Sequence, residues 1–432
     1  MTNRRPIRSM AARVGAFGLV VGLAAWPADA EAAFSLSQTF NDPTVTEFDL
    51  FGTSVAIDGS NVLVGAPSDD TNGFNVGQAH LFDASTGSLL RTFDDPTVTN
   101  TDVFGVSVAL DGNRVLIGAF NDSTIGVGTG QAHLFDANTG ALLQTFDDPT
   151  VTFQDRFGTS VALDGNTVLI GAPIDDTNGS GVGQAHLFDA STGNLLHTFD
   201  DPTVTTVDEF GTSVALDGNR VLIGAPRDDT NGLDVGQAHL FDATTGALLR
   251  TFDDPTVTSQ DLFGLSVALD GNNVLIGALG DDTNGTNIGQ AHLFDASTGN
   301  LLRTFDDPTP TSADEFGFSV AIDGSNVLIG AVQDKTSGFI VGQAHLFDAV
   351  TGNLLETFDD PTVTTGDQFG RSVALDGNTV LIGANADDTN GHNVGQAHLF
   401  TKATSIAVPE PSSLALMLAG LLSLGLLRRR RT

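Results

Sequence analysis

Cysteine and tyrosine are absent from the 432-residue chain, and its single tryptophan is Trp26. Without cysteine no disulfide can staple the fold, so the core must be large enough to hold by itself. Without tryptophan or tyrosine past residue 26, the amphipathic rings that suit sugar binding are missing, and phenylalanine alone is left to replace them. Positive charge is scarce as well, with 18 Lys and Arg against 53 Asp and Glu. Eight of the bases lie in the first 13 and last five residues, so Phe34 to Ala407 carries 50 acids against 10 bases, about −40. Such a body excludes nucleic acid and anionic membrane surfaces as partners and favours cations. There is also no nucleophile elbow, no zinc motif and no phosphate loop.

What is present is repetition. The heptapeptide FDDPTVT stands at Phe93, Phe146, Phe199, Phe252 and Phe358, with FNDPTVT at Phe40 and FDDPTPT at Phe305. Every interval is 53 residues, which marks seven copies of one structural unit. Within the copy beginning at Phe157, FGTSVALDG alternates and stops at Asp164-Gly165, a hairpin signal. NTVLIGAP follows, and its unbroken apolar run suits a strand covered on both faces. IDDTNGSGV reads as a loop, GQAHLFDA as a third strand, Ser191-Thr192-Gly193 as a turn and NLLHTF as a fourth strand. Four short antiparallel strands and no helix per unit predict an all-β, seven-bladed β-propeller.

The last copy ends after its third strand at Phe400, whereas FSLSQTF, Phe34–Phe40, precedes the first copy. This amino-terminal strand is predicted to complete blade seven beside Gly395–Phe400, which removes an open sheet edge. The one–two and three–four turns then share one rim, and the two–three and four–one loops share the other. FDDPTVT is the four–one loop that hands the chain to the next blade.

Phe157-Gly158, Gly171-Ala172-Pro173 and GQAHLF together resemble the FG-GAP repeat of integrin α-subunit propellers. All seven units carry Phe-Gly, from Phe51-Gly52 to Phe369-Gly370, and three carry the full Gly-Ala-Pro. The resemblance covers nearly all of Phe34–Phe400 and implies a seven-bladed propeller used in adhesion or recognition. Calcium-binding members of that family have a long Asp-rich loop between the first two strands. Here a two-residue turn such as Asp164-Gly165 stands there, so those calcium sites do not carry over.

The ends differ from the middle. Residues 1–32 have Arg4, Arg5, Arg8 and Arg13, then an apolar run, then Ala28, Ala30 and Ala32, the order of a secretory signal peptide. Residues 401–411 read as a linker holding Pro409-Glu410-Pro411, and residues 412–432 as a short apolar helix ending in Arg428, Arg429, Arg430 and Arg431. Pro-Glu-Pro, apolar run and arginine cluster, in that order, resemble the PEP-CTERM sorting signal of Gram-negative bacteria. The resemblance implies export, transient inner-membrane anchoring through the tail, processing by an exosortase-type protease, and a destination at the cell surface or in the extracellular matrix.

The two–three loops supply the candidate ligands of a cation. Ca²⁺ is expected on the Asp-Asp-Thr-Asn-Gly loops, at Asp69, Asp70 and Asn72, Asp175, Asp176 and Asn178, Asp228, Asp229 and Asn231, Asp281, Asp282 and Asn284, and Asp387, Asp388 and Asn390. The alternative is that these residues form turns and a solvated acidic rim. Blades two and six, with NDSTIG and QDKTSG, should bind worst. A further acid precedes every Phe-Gly: Asp49, Asp102, Asp155, Asp208, Asp261, Asp314 and Asp367. The seven histidines from His80 to His398, one per copy, are expected to be packed and hydrogen-bonded. Near identity of the copies argues against a catalytic site, which needs different groups in different roles. The expected function is therefore a non-catalytic binding, adhesion or structural propeller with an extracellular protein or polysaccharide ligand. An extracellular hydrolase or lyase, and a purely structural acidic coat protein, are the competing expectations.

Overall fold

A computed structural model describes residues Ala33–Ala403, and every regular element among them is a β-strand. Strand β1 (Phe34–Asn41) precedes blade one, which comprises β2 (Ser54–Asp58), β3 (Asn61–Ala66), β4 (Gln78–Asp83) and β5 (Leu89–Asp94) in antiparallel order. The same four-stranded sheet recurs seven times. The first strand of each blade lies innermost and touches the first strands of both neighbours, including Phe369–Asp376 of blade seven against β2. The ring closes as the sequence predicts: β1 pairs with Gln396–Lys402, Phe34 opposite Lys402 and Asn41 opposite Gln396. That last strand runs past Phe400, so residues 401 and 402, expected in the linker, belong to the sheet. The expected signal peptide, the rest of the linker and the carboxy-terminal helix lie outside the described residues.

The core lies between blades rather than within them. Val62 and Val64 of β3 pack with Leu381 and Leu399 of blade seven, while Leu63 between them packs with Val115 and Ile117 of blade two. The apolar run is thus covered on both faces. Phe93 of blade one meets Phe135 of blade two at 5.1 Å, and Phe104 meets the same ring edge-on at 6.2 Å.

The recurrent glycines are explained at the same seam. Gly105 adopts φ +93°, and a Cβ there would stand 2.3 Å from the Gln78 carbonyl oxygen of blade one. Its own carbonyl oxygen would lie 2.0 Å from a Cβ on Gly65, and it accepts a 2.8 Å bond from the Ser54 hydroxyl. Phe-Gly of one blade therefore rests on Gly-Ala of the blade before, and no larger residue fits either place. On the turn rim the Gly59 N–H donates to the Asp376 carboxylate of blade seven at 2.6 Å, and the Gly165 N–H to Asp111 of blade two at 2.7 Å.

Candidate functional site

The four–one loop entering blade three starts with Asp147 and Asp148. Pro149 cannot continue the ladder, and Asp148 folds the chain into a turn by accepting the Thr150 N–H at 2.8 Å. This turn drives the Asp148 side chain inward, where it is buried. Seven residues on, Asp155, also buried, accepts both the N–H and the hydroxyl of Thr152. From the two–three loop comes Asp175, also buried, which accepts the Thr177 N–H at 2.7 Å. One carboxylate oxygen of each of the three lies within 4.8 Å of the others. The same trios form in blade two from Asp95, Asp102 and Asp122, and in blade four from Asp201, Asp208 and Asp228.

The Thr150 hydroxyl is the hub of this cluster. It lies 3.1 Å from Asp148, 3.1 Å from Asp175 and 2.7 Å from the Gln184 carbonyl oxygen. Asp200 holds the Gln184 amide nitrogen at 2.6 Å, which turns that oxygen toward Thr150. A hydroxyl has one proton and here faces three acceptors. The cluster is rich in oxygen lone pairs and poor in donors.

The third strand adds His186, buried as expected, with Nδ1 3.1 Å from the Thr198 hydroxyl. Its Nε2 has no hydrogen-bond partner and stands 3.8 Å from Asp148, whose second oxygen is also unpartnered. All seven histidines leave Nε2 in this state, and all seven equivalent aspartates leave one oxygen in it. In blades one and five the histidine joins the group directly, with Asp42 and Asp69 beside His80 and Asp254 and Asp281 beside His292. The histidine is thus structural on one side and a free lone-pair or N–H group on the other.

Burial governs the protonation of these groups. It pushes the Asp148 carboxyl up to about 6, against the Thr150 N–H bond and with the charges of Asp175 and Asp155. Asp155 is raised by burial too, against its Thr152 bonds. His186 is driven down to about 4 by burial and stays neutral near pH 7. These buried acidic clusters could hold a metal ion.

Of the fifteen loop residues expected to bind calcium, the first acid of each loop, Asp69, Asp175, Asp228, Asp281 and Asp387, is buried at its cluster. The second acid and the asparagine are exposed in all five loops. Asp176 accepts the Gly181 N–H at 2.7 Å, and Asn178 donates to Asp200 at 2.6 Å. Asp70 and Asn72, Asp229 and Asn231, and Asp282 and Asn284 repeat those bonds, while Asp388 accepts the Asn393 N–H and Asn390 donates to Asn41. Blade two retains its buried acid, Asp122, and blade six retains Asp334. In blade six the ammonium of Lys335 comes 3.8 Å from Asp314.

A second region forms where the first strands meet the loop rim. Thr53, Val106, Thr159, Thr212, Leu265, Phe318 and Arg371 occupy one position in the seven copies and line this end of the central channel. The half-buried Arg371 stacks over the Phe318 ring at 4.6 Å. Its neighbour Glu315 is raised by burial, with Gln333, Arg371 and Lys335 pulling the other way. Arg227 pairs with Glu209 at 3.2 Å, and Arg156 lies over the Phe120 ring. Of these departures, Val106, Leu265, Phe318 and Arg371 line the one opening.

The pattern of the FG-GAP repeat matches seven segments, residues 43–82, 98–135, 151–188, 204–241, 256–294, 310–347 and 361–400. The chain belongs to the FG-GAP repeat family. The PEP-CTERM protein-sorting motif matches residues 407–431, which include Pro409, Glu410, Pro411 and Arg428–Arg431. No curated protein sequence matches the chain. An FG-GAP propeller with this motif is an extracellular or surface protein, associated with the bacterial cell envelope and processed by the exosortase sorting system.

Proposed function

We propose that this FG-GAP protein is a non-catalytic binding or adhesion module of the surface or extracellular matrix of a Gram-negative bacterium. It passes through a transient inner-membrane anchor, and it takes its protein or polysaccharide ligand at the loop-rim mouth of the channel. The observation that carries the reading is the contrast between copies. The residues that hold blades together repeat, whereas the channel-mouth position runs through Thr, Val, Leu, Phe and Arg. A purely structural ring gives no reason for that difference. The exposed loop tips of the same rim carry Phe74, Phe153, Leu233 and Phe339, each at least 60% exposed. Such apolar groups in an acidic surround suit contact with another macromolecule.

The test uses the exported protein and a triple variant, Leu265→Thr, Phe318→Thr and Arg371→Thr, that restores the threonine of blades one, three and four. Both are passed over immobilised polysaccharide and protein fractions from the producing cell's own surface. Retention of the parent and its loss in the variant support the reading. Equal retention moves the ligand away from the mouth. Retention of neither favours the structural coat.

A further inference from the structure

We propose that the buried clusters of six blades are sites for a divalent first-row transition-metal ion, Zn²⁺ or Mn²⁺, and that in blade six the Lys335 ammonium takes the ion's place. The inference stands apart from the ligand at the channel mouth. In blade three the donors are Asp148, Asp155, Asp175 and His186.

Four observations converge. In blades two, three and four three buried carboxylates gather with no cation at hand, and a buried charge without a partner is costly. His186, fully buried, directs an unpartnered Nε2 toward Asp148, which has an unpartnered oxygen of its own. If Nδ1–H donates to Thr198, Nε2 is a bare lone pair facing carboxylates, an arrangement that a bound cation relieves. If Nδ1 accepts instead, the Nε2–H is 3.8 Å from the carboxylate, too far for a hydrogen bond. Two ligands about 2.1 Å from one ion stand roughly 3.4 Å apart in a tetrahedron, so the 3.8 Å spacing needs little contraction.

The donor set selects the ion. Imidazole nitrogen with carboxylates suits zinc and manganese. Calcium takes six to eight oxygens, and here most oxygens already accept N–H or O–H bonds. Blade six is the internal control. There the Lys335 ammonium pairs with a cluster acid, Asp314, and is held by the carbonyl oxygens of Ser312 at 2.7 Å and Gln333 at 3.1 Å. The chain has supplied in covalent form the positive charge that the other six clusters draw from solution.

The full chain is stripped with chelator and titrated with Zn²⁺, Mn²⁺, Ca²⁺ or Co²⁺, and bound metal is counted by mass spectrometry. The expected result is saturation at about six ions per chain with Zn²⁺ or Mn²⁺, a rise in Tm beyond that in NaCl of equal ionic strength, and a Co²⁺ visible band of a nitrogen–oxygen site. His186→Gln lowers the count by one and weakens the Co²⁺ band. Lys335→Asp, a change at a partly exposed loop position that keeps the fold measurable if His186→Gln does not, raises the count by one. Asp176→Asn changes neither. No uptake above the blank, equal uptake of Ca²⁺, or a loss in Asp176→Asn would overturn the proposal, and so would an unchanged count in Lys335→Asp.

Discussion

Asp200 and Asp201 are neighbours in the chain and serve different blades. Asp200 accepts bonds from Gln184 and Asn178 of blade three, whereas Asp201 turns into blade four, 3.8 Å from His239. The acidic pair in each FDDPTVT is therefore a rivet, one head in the blade being left and one in the blade being entered. Where the pair is Asn41-Asp42, the asparagine oxygen still accepts the Gln396 amide at 2.7 Å, and Asp42 still faces His80.

The seam between blades should be intolerant of a single methyl group. A Cβ on Gly171 would lie 2.0 Å from the Gly211 carbonyl oxygen and 2.4 Å from the Ser160 hydroxyl. Gly171→Ala, whose Cβ would meet rigid backbone, is expected to cost more than about 3 kcal/mol, the upper end of ordinary overpacking. Gly165→Ala, whose Cβ meets nothing within 4 Å, should cost only the left-handed backbone term, roughly 1–2 kcal/mol. Chemical denaturation of the two variants checks the order, and equal losses would refute it.

Removing the closing strand should expose an edge. Without Phe34–Asn41, blade seven keeps three strands and the unpaired backbone of Gln396–Lys402. A lower Tm and self-association by edge pairing are expected. Light scattering and thermal melting read both, and a truncated protein that melts and elutes like the parent would rule out this closure.

Acid should not weaken the metal-free protein between pH 7 and pH 5. Asp148 and its equivalents are raised from 3.8 to about 6, so their contribution is fully present below pH 3.8 and is lost as pH rises through 6. Asp49, Asp102, Asp155, Asp208, Asp261 and Asp367, and in blade six Asp334, are raised in the same sense. His186 and its equivalents are lowered from 6.5 to about 4, so their contribution is present above 6.5 and is lost as pH falls through 4. Two acids oppose one histidine in each blade, and falling net charge also relieves self-repulsion. In chelator the Tm at pH 5 should equal or exceed that at pH 7. A clear fall would mean that the histidines dominate.

The sorting motif gives a fourth expectation. Mass spectrometry of the protein from its own host should place the carboxy terminus near Pro409-Glu410-Pro411, inside the matched residues 407–431. Mature surface protein ending at Thr432 would contradict processing.

The blade count, the closing strand and the two rims were legible because a 53-residue period and an unbroken apolar run translate directly into stacked sheets. The clusters were not. Asp148 stands at the end of one copy yet works in the next blade, 27 residues from Asp175 and 38 from His186. In the Asp-Asp-Thr-Asn-Gly motif Asp176 and Asn178 have the same oxygen-ligand chemistry as Asp175 but face solvent. The signal was in the copies: the first loop acid is Asp in all seven, whereas the second becomes Ser123 in blade two and Lys335 in blade six. Likewise the second acid of FDDPTVT survives where the first becomes Asn41.

Closure by β1 also sets an order of events. The Gln396 amide meets Asn41 across 355 residues of chain. A polypeptide made from its amino end offers β1 first and its partner last, so blades one to six can assemble in turn while β1 waits. Loop entropy adds little to that wait, since each doubling of the loop costs only about 0.6 kcal/mol. The ring therefore locks only after Lys402 has emerged, and an unfinished chain stays an open, protease-sensitive arc.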